Sequence, residues 1–563
     1  MKFNYILIFF VFFLPKTSAQ QLHLSILYDN NKPTIDSIGY KKAHINAKSI
    51  IEEVNLFAEK LSKVGFLESK ITDQKKVNDS TFLFHFDLGK RTNFIHINPS
   101  IIFFKNETTE TLIDAIFGKN KEIIILPYYK VEDFLNFNLQ KLEKSGFGLS
   151  KLQLINIQKK DDYLTADLQI ITNKKRNLNG FVIKGYDKFP VGYKKNLERR
   201  YKNQIFNQEN LKKINFDFNK IRFVKQTKYP EILFTTDSTK VFVYLEKAKT
   251  NSFDGFIGFS NDEKGKLIFN GYLDLTLNNA LNTGEKLQIY WKSDGKDQKT
   301  FNGSVEIPYI FNSPIAVKTQ LNIFKQDSIF QNTKNTIDIG YYLKYNSKVF
   351  LGYQSTESND IKNANSNSIS DFNSSYYTGT YEFFSYNLDD FLFPEKLNFK
   401  FKIGSGKRNA RLNNKQQSFG QLTANYHLYL TKNTAISLKT ENFYLQSNSY
   451  IVNELHRFGG INSIRGFNEN SLQANMLTSL VTEYQYIISP SFYLHSILDY
   501  AYFEDKSLNN SGKLSSKLLG IGIGFGLQTK NGLLNFVYAS GSYDNQKINT
   551  SNAIVHISLK TVF

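Results

Sequence analysis

The chain has 563 residues, a formal net charge of +19 and no cysteine. That length allows several domains. The absence of thiols excludes disulfides, thiolate metal centres, cysteine nucleophiles and a lipid-bearing cysteine. Its 50 Phe and 33 Tyr stand against one Trp, and its Lys and Arg are scattered rather than gathered into a patch.

The first elements read as an export signal. Lys2 is the charged start, Tyr5 to Leu14 the apolar run, and Thr17-Ser18-Ala19 a small-residue cleavage site that would free Gln20. The run is too short for a bilayer-spanning helix, which needs about 20 residues, and no later run of that kind follows. Export makes nucleic acid an unsuitable partner for the positive charge. Lipid headgroups, lipopolysaccharide or acidic segments of a client protein fit it better.

Residues 20 to 249 repeat. "LSKVGF" (61–66) and "LEKSGF" (142–147) each close a helical pattern. In the first, Ile50, Val54, Phe57, Leu61 and Val64 share one face. In the second, Val131, Leu135, Leu139 and Leu142 are expected to do the same. The glycine after each run signals a helix C-terminus. Each copy then reads strand, basic turn, strand: "TFLFHFDLGKRTNFIHI", "LTADLQIITNKKRNLNGFVI" and, after a weaker helical part, "KVFVYLEKAKTNSFDGFI". Three small α/β modules are expected, at 20–97, 98–178 and 179–249, behind a signal peptide at 1–19. No motif in them pairs carboxylates or places a nucleophile, and the isolated His85 reads as a strand residue.

From residue 250 to 563 the period becomes two. Leu273, Leu275 and Leu277 alternate with polar residues, as do Leu287, Ile289 and Trp291, and Ile521, Ile523, Phe525 and Leu527 alternate with four glycines. Sixteen candidate strands are separated by alternately short turns and long polar stretches such as 355–375, 404–417, 504–515 and 541–551. That rhythm describes an all-β antiparallel transmembrane barrel. The last strand ends on Phe563.

The stretch "RFGGINSIRGFNENS" (457–471) falls in the sixth long loop. Taken with the module array, the sixteen strands and the terminal aromatic, its tetrapeptide Ile464-Arg465-Gly466-Phe467 resembles the [Ile/Val]-Arg-Gly-[Phe/Tyr] motif of the BamA/TamA superfamily of outer-membrane assembly and translocation proteins. The modules resemble polypeptide-transport-associated (POTRA) domains. The resemblance covers essentially the whole mature chain, and three modules are closest to TamA-like members. One departure is Ser558, where related terminal signals often carry glycine.

The resemblance implies that loop six, at 447–472, folds into the lumen and that Arg465 meets luminal carboxylates on the following strands. Glu483 and Asp499 match those positions. Strand parity agrees: Tyr484, Tyr486 and Ile488, and Leu494, Leu498 and Tyr500, would face lipid and turn both acids inward. It also implies a non-enzymatic factor in the bacterial outer membrane, with periplasmic modules and no cofactor or metal. Its clients would be unfolded outer-membrane or secreted proteins, and a periplasmic or inner-membrane partner could reach the modules. A two-partner secretion transporter is the alternative, and a passive porin or receptor barrel a more distant one.

Overall fold

The computed structural model describes residues 21–28, 38–99, 116, 122–172, 174–261, 267–294, 298–362, 368–387, 389–390, 392–410, 414–507, 514–530, 532–544, 546–548, 551 and 553–563. The export signal expected at 1–19 lies outside them. The chain divides into two compact units, one running to Arg176 and including Ile205–Glu209, the other made of Asn177–Gln204 and Asn210–Phe563.

The first unit holds two sheets of like design. In one, Leu22–Tyr28 lies parallel to Thr81–Asp87, which pairs antiparallel with Lys70–Lys76, and Ala43–His44 completes the other edge. Helix α1 (Ala47–Lys63) starts at Asn46, whose side chain accepts from Ser49 N at 2.8 Å. It buries Ile50, Val54, Phe57 and Leu61 against Leu24, Ile26, Phe84 and Phe86. In the other sheet, Phe94–Asn98 runs parallel to Tyr163–Ile171, with Lys151–Lys160 and Ile124–Pro127 at the edges. Helix α2 (Val131–Lys144) buries Asn138 and Leu142. Leu139 is exposed instead, a departure from the expected face. Steps of four residues drift about 40° each, so the stripe begun by Val131 and Leu135 returns through position 138 and leaves 139 on its border.

The basic turns have a different place from the one their sequence suggests. Thr81–Asp87 and Phe94–Asn98 belong to different sheets, as do Tyr163–Ile171 and Gly180–Lys184. The basic segments therefore join modules rather than lie within them. In each of the first two modules the segment folds back on the end of the helix. Arg91 Nε donates to Val64 O at 3.0 Å and Thr92 N to Gly65 O at 2.8 Å, and Arg176 N donates to Gly146 O at 2.9 Å. A cation near helix C-terminal carbonyls is favourable, which relates the first helix end to Arg91 in the basic run that follows it.

The second unit begins with a third sheet, in which Gly180–Lys184 is parallel to Thr239–Lys247 and the latter pairs with Val224–Phe234. The weak helical pattern becomes two helices, α3 (Val191–Tyr201) and α4 (Gln208–Asn219). Helix α3 seats on a tight turn of the barrel: Tyr193 meets Tyr309 edge-on at 4.6 Å, and Asn196 and Arg199 donate to Asn312 O at 3.1 and 2.9 Å.

Sixteen strands among the described residues close a barrel. The first eight are Ser252–Asn261, Leu267–Asn278, Lys286–Ser293, Gln298–Ile307, Ile315–Gln326, Phe330–Lys344, Ser347–Asp360 and Phe372–Tyr386. The next eight are Glu395–Ala410, Asn414–Tyr429, Thr434–Gln446, Met476–Ser489, Phe492–Asp505, Leu514–Gln528, Leu533–Tyr543 and Ile554–Val562. They are numbered one to sixteen below. Polarity is inverted relative to a water-soluble barrel. On strand six, Ile337, Ile339 and Tyr341 are exposed while Thr336 and Asp338 are buried; on strand thirteen, Leu494, Leu498 and Tyr500 are exposed while His495 and Asp499 are buried. An apolar outer face over a polar interior is the pattern of a strand that crosses lipid.

Of the polar stretches expected as long loops, 404–417 proves to be mainly strand and 355–375 is strand at both its ends. Strands nine and ten stay paired as far as Asn409 with Asn414, inside 404–417, and strands seven and eight reach into 355–375. Polarity marks where a strand leaves lipid, whereas the ladder ends only where backbone pairing ends. At the seam, strand one pairs with strand sixteen only at Ser252 with Val562 and Phe253 with Thr561 among the described residues. By contrast, strand one pairs with strand two from Ser252 to Asn261.

Candidate functional site: loop six in the barrel lumen

The segment joining strands eleven and twelve is shaped by its own short elements. A 3-10 turn at Val452–Glu454 is followed by a small hairpin, His456–Phe458 against Leu472–Ala474. Gly459 and Gly460, with φ of +104° and +97°, start the turn at its tip. Gly460 N then donates to Ile464 O at 3.1 Å, and Arg465 follows at the bottom of the turn.

The structure brings Arg465, Glu483 and Asp499 together. Asp499 takes Arg465 N at 3.0 Å and Nε at 2.8 Å on Oδ2, and Nη2 at 2.6 Å on Oδ1. Nη1 pairs with Glu483 Oε1, and Nη2 also reaches Thr482 O at 3.2 Å. Arg465 is 2% exposed and Asp499 0%. A planar fork with five donors can serve both carboxylates and a carbonyl at once, and ionised hydrogen bonds of this kind are the strong ones. The acids are themselves held: Thr482 N donates to Asp499 Oδ1 at 3.2 Å and Gln485 Nε2 to Glu483 Oε2 at 2.9 Å.

The flanking motif residues fix the depth of insertion. Ile464 and Phe467 are buried with Phe458, Leu477, Ala501, Phe503 and Leu518, and Phe467 meets Tyr543 edge-on at 5.1 Å. Gly466 has φ +83°, and a Cβ there would lie 2.7 Å from Ser540 O on strand fifteen. Gly466→Ala is therefore expected to lift the tip of loop six, since a side chain at positive φ alone costs about 1–3 kcal/mol. Faster protease cleavage of residues 459–471 in the folded barrel measures it, and wild-type protection would show that the close approach is dispensable.

The glycines of strand fourteen divide their work. A Cβ at Gly520 would press on the Arg465 carbonyl and lie 3.3 Å from Asp499 Cβ, so this one makes room for the loop. Cβ atoms at Gly524 and Gly526 would instead collide with the luminal rings of His495 and Tyr493. Phe563 lies at the seam, where its N–H donates to Asn251 O at 2.9 Å.

Other anchors were not singled out in the sequence. Arg408 on strand nine is 1% exposed and pairs with Glu454, which also accepts from Gln417 Nε2 at 2.9 Å. Asn453 Nδ2 donates to Ser358 Oγ at 2.7 Å and Ser370 O at 2.8 Å. Glu441 holds His456 at 2.9 Å and Ser463 Oγ at 2.9 Å. Glu469 accepts from Tyr290 at 2.8 Å and pairs with Lys292 on strand three. Gly541, whose Cβ would meet Gly466 O at 2.6 Å, completes the close approach to strand fifteen. The available signal was a charged residue at inward parity on a strand, which names a luminal side chain without naming its partner. Loop six thus touches strands fifteen and three, one on each side of the seam. Among the described residues no group of three His, Cys, Asp or Glu side chains is placed to hold a metal.

A sixteen-stranded barrel with an apolar outer face, small α/β modules ahead of it and a loop anchored in its lumen defines the class of outer-membrane barrels with POTRA-like modules. The chain is similar in fold to CdiB from Escherichia coli, with TM-score 0.51 and 13% identity over 91% of this chain and 97% of that one. It is similar to CdiB from Acinetobacter baumannii, with TM-score 0.50 and 13% identity over 84% of this chain and 90% of that one. BamA from Haemophilus ducreyi lacking POTRA domains 1–3 aligns with TM-score 0.48 and 14% identity over 83% of this chain and 99% of that one. No protein-family model and no curated protein matches the sequence, so the likeness lies in the fold. The barrel is an outer-membrane barrel, and the modules are periplasmic.

Proposed function

We propose that this protein assembles client polypeptides into the outer membrane, or passes them across it, without enzymatic chemistry. The observation that carries the reading is the seam. Strand one leaves most of its free edge unpaired with strand sixteen among the described residues, and an unpaired edge is a template for another strand. Glycine at positions 255 and 258 weakens strand one further. The modules would receive extended clients first. Lys70–Lys76, Lys151–Lys160 and Val224–Phe234 are edge strands of their sheets, and strand addition to such an edge uses main-chain hydrogen bonds that any sequence can supply. Energy for insertion would come from folding of the client.

The fold likeness to two CdiB structures keeps a second reading, a two-partner secretion transporter for one dedicated protein. Two-partner secretion transporters usually carry two such modules, and the three small sheets ahead of this barrel therefore favour the general assembly role. Depletion of the protein followed by quantitative proteomics of the outer membrane separates the two. Loss of many barrel proteins is expected; loss of one exported protein alone would establish the second reading, and an unchanged outer membrane would overturn both.

A further inference from the structure

The periplasmic mouth of the lumen holds a cavity of about 300 Å³ between the third module and the barrel wall. Six cations line it: Lys220 and Arg222 from the segment after α4, and Lys286, Lys318, Lys348 and Lys400 from strands three, five, seven and nine. Three carboxylates line it with them, Glu285, Glu306 and Glu382, so six against three leaves an excess of three positive charges in the lining itself.

The carboxylates are already engaged. Lys348 lies 2.5 Å from Glu306, and Lys318 and Lys400 lie 2.6 and 3.8 Å from Glu382. Glu285 is held in its own turn by Leu281 N at 2.6 Å and Thr283 Oγ1 at 2.7 Å. Three cations remain without a carboxylate. The Lys286 ammonium makes no hydrogen bond or ion pair among the described residues, although Glu306 stands opposite it in the ladder. Lys220 donates to Tyr386 O at 3.0 Å, and the Arg222 guanidinium lies 4.8 Å over the Tyr386 ring. Charged groups withdrawn from bulk water are ordinarily paired, and three such cations facing one cavity leave a place for an anion.

We propose that this cavity binds an acidic polypeptide segment, its carboxylates held by Lys220, Arg222 and Lys286. The proposal rests on the reading of the barrel as a machine for polypeptide clients, and it names the chemistry of the client. Five of the six cations are lysines, point charges on flexible stems that accept carboxylates in many positions. A site built for phosphate would converge arginine forks or backbone N–H groups. Tyr193, Phe223, Tyr342 and Phe384 stand among the cations and give peptide side chains apolar and ring surface. Beyond them Lys334 and Lys402 line the next cavity toward loop six, where Asp274, Glu454 and Glu469 stand among them.

The test uses the full-length protein in detergent micelles and a short fluorescent peptide of alternating Glu and Ser, with a Gln and Ser peptide and inorganic phosphate as comparisons. The Glu peptide is expected to bind saturably and to be released by 1 M salt, where the Debye length is about 3 Å. Lys286→Gln should weaken it roughly fivefold, and Lys286→Gln with Arg222→Gln considerably more. Lys286 gives up no ion pair on substitution, so the variants should fold, and heat-modifiable gel mobility verifies this. Unchanged binding in the double variant, equal binding of the Gln peptide, or binding of phosphate without the peptide would overturn the proposal. Peptide binding by a protein whose depletion leaves the outer membrane unchanged would uphold the site and remove the functional reading. Absence of binding in a protein whose depletion removes many barrels would do the reverse.

Discussion

Replacing Arg465 by Ala should free loop six from the lumen while the barrel still inserts and migrates as a folded, heat-modifiable species. The barrel ladder does not pass through Arg465, but the loop does depend on it, through three hydrogen bonds to Asp499, one to Glu483 and one to Thr482 O. An exposed ion pair contributes about 0–1 kcal/mol, whereas breaking a buried one by removing a partner costs about 3–5 kcal/mol. The burial of Arg465 and Asp499 puts the loss toward the upper range, because two carboxylates are left without their cation. Arg465→Lys should recover only part of it, since an ammonium cannot hold both oxygens of Asp499 and reach Glu483 in one plane. Asp499→Asn should give a similar defect, and combining it with Arg465→Ala should be less than additive. Protease sensitivity of residues 459–471 and a client-assembly assay read the outcome. Wild-type protection in Arg465→Ala, or strictly additive defects in the double variant, would show that the arginine acts elsewhere.

Locking the seam should abolish client assembly. Phe253 and Thr561 face each other across strands one and sixteen, and the chain has no native cysteine to interfere. Directly opposed strand residues have Cβ atoms about 4.5–5.5 Å apart, close enough for a disulfide after a small adjustment. The variant with Phe253→Cys and Thr561→Cys is expected to cross-link on oxidation, to lose activity in that state and to regain it on reduction. Either single cysteine variant should be active under both conditions. Loop six bears on the same event, because it joins strand fifteen at Gly466 to strand three at Glu469. Weakening that second tie with Glu469→Gln should make the unlocked seam open more readily, read as faster cross-linking to a client strand. Full activity of the oxidised double-cysteine protein would rule out lateral opening.

Much of this architecture is written in local patterns. The period-two alternation of apolar and polar residues sets which face of each strand meets lipid, and it places Tyr484 and Leu498 outward and Asp499 inward without any knowledge of neighbours. The helical face of Ile50, Val54, Phe57 and Leu61 is equally local, as is the glycine at the end of the helix in each of the first two modules. The sequence also located the loop-six motif and two inward acids on the next two strands. Partnership was not local. That "LGKRTN" joins two modules and reaches back to a helix end is settled by the parallel pairing of strands far apart in the chain, and a hairpin would have read the same. The extent of strands nine and ten beyond the lipid was hidden because polar strands and polar loops have one composition. Arg408 with Glu454, Glu469 with Lys292 and the uncompensated cations at the mouth arise only when barrel closure brings strands three, five, seven and nine around a common interior. A strand's own pattern fixes the direction of each side chain; what that side chain meets across the lumen depends on curvature and register, which the whole sheet decides.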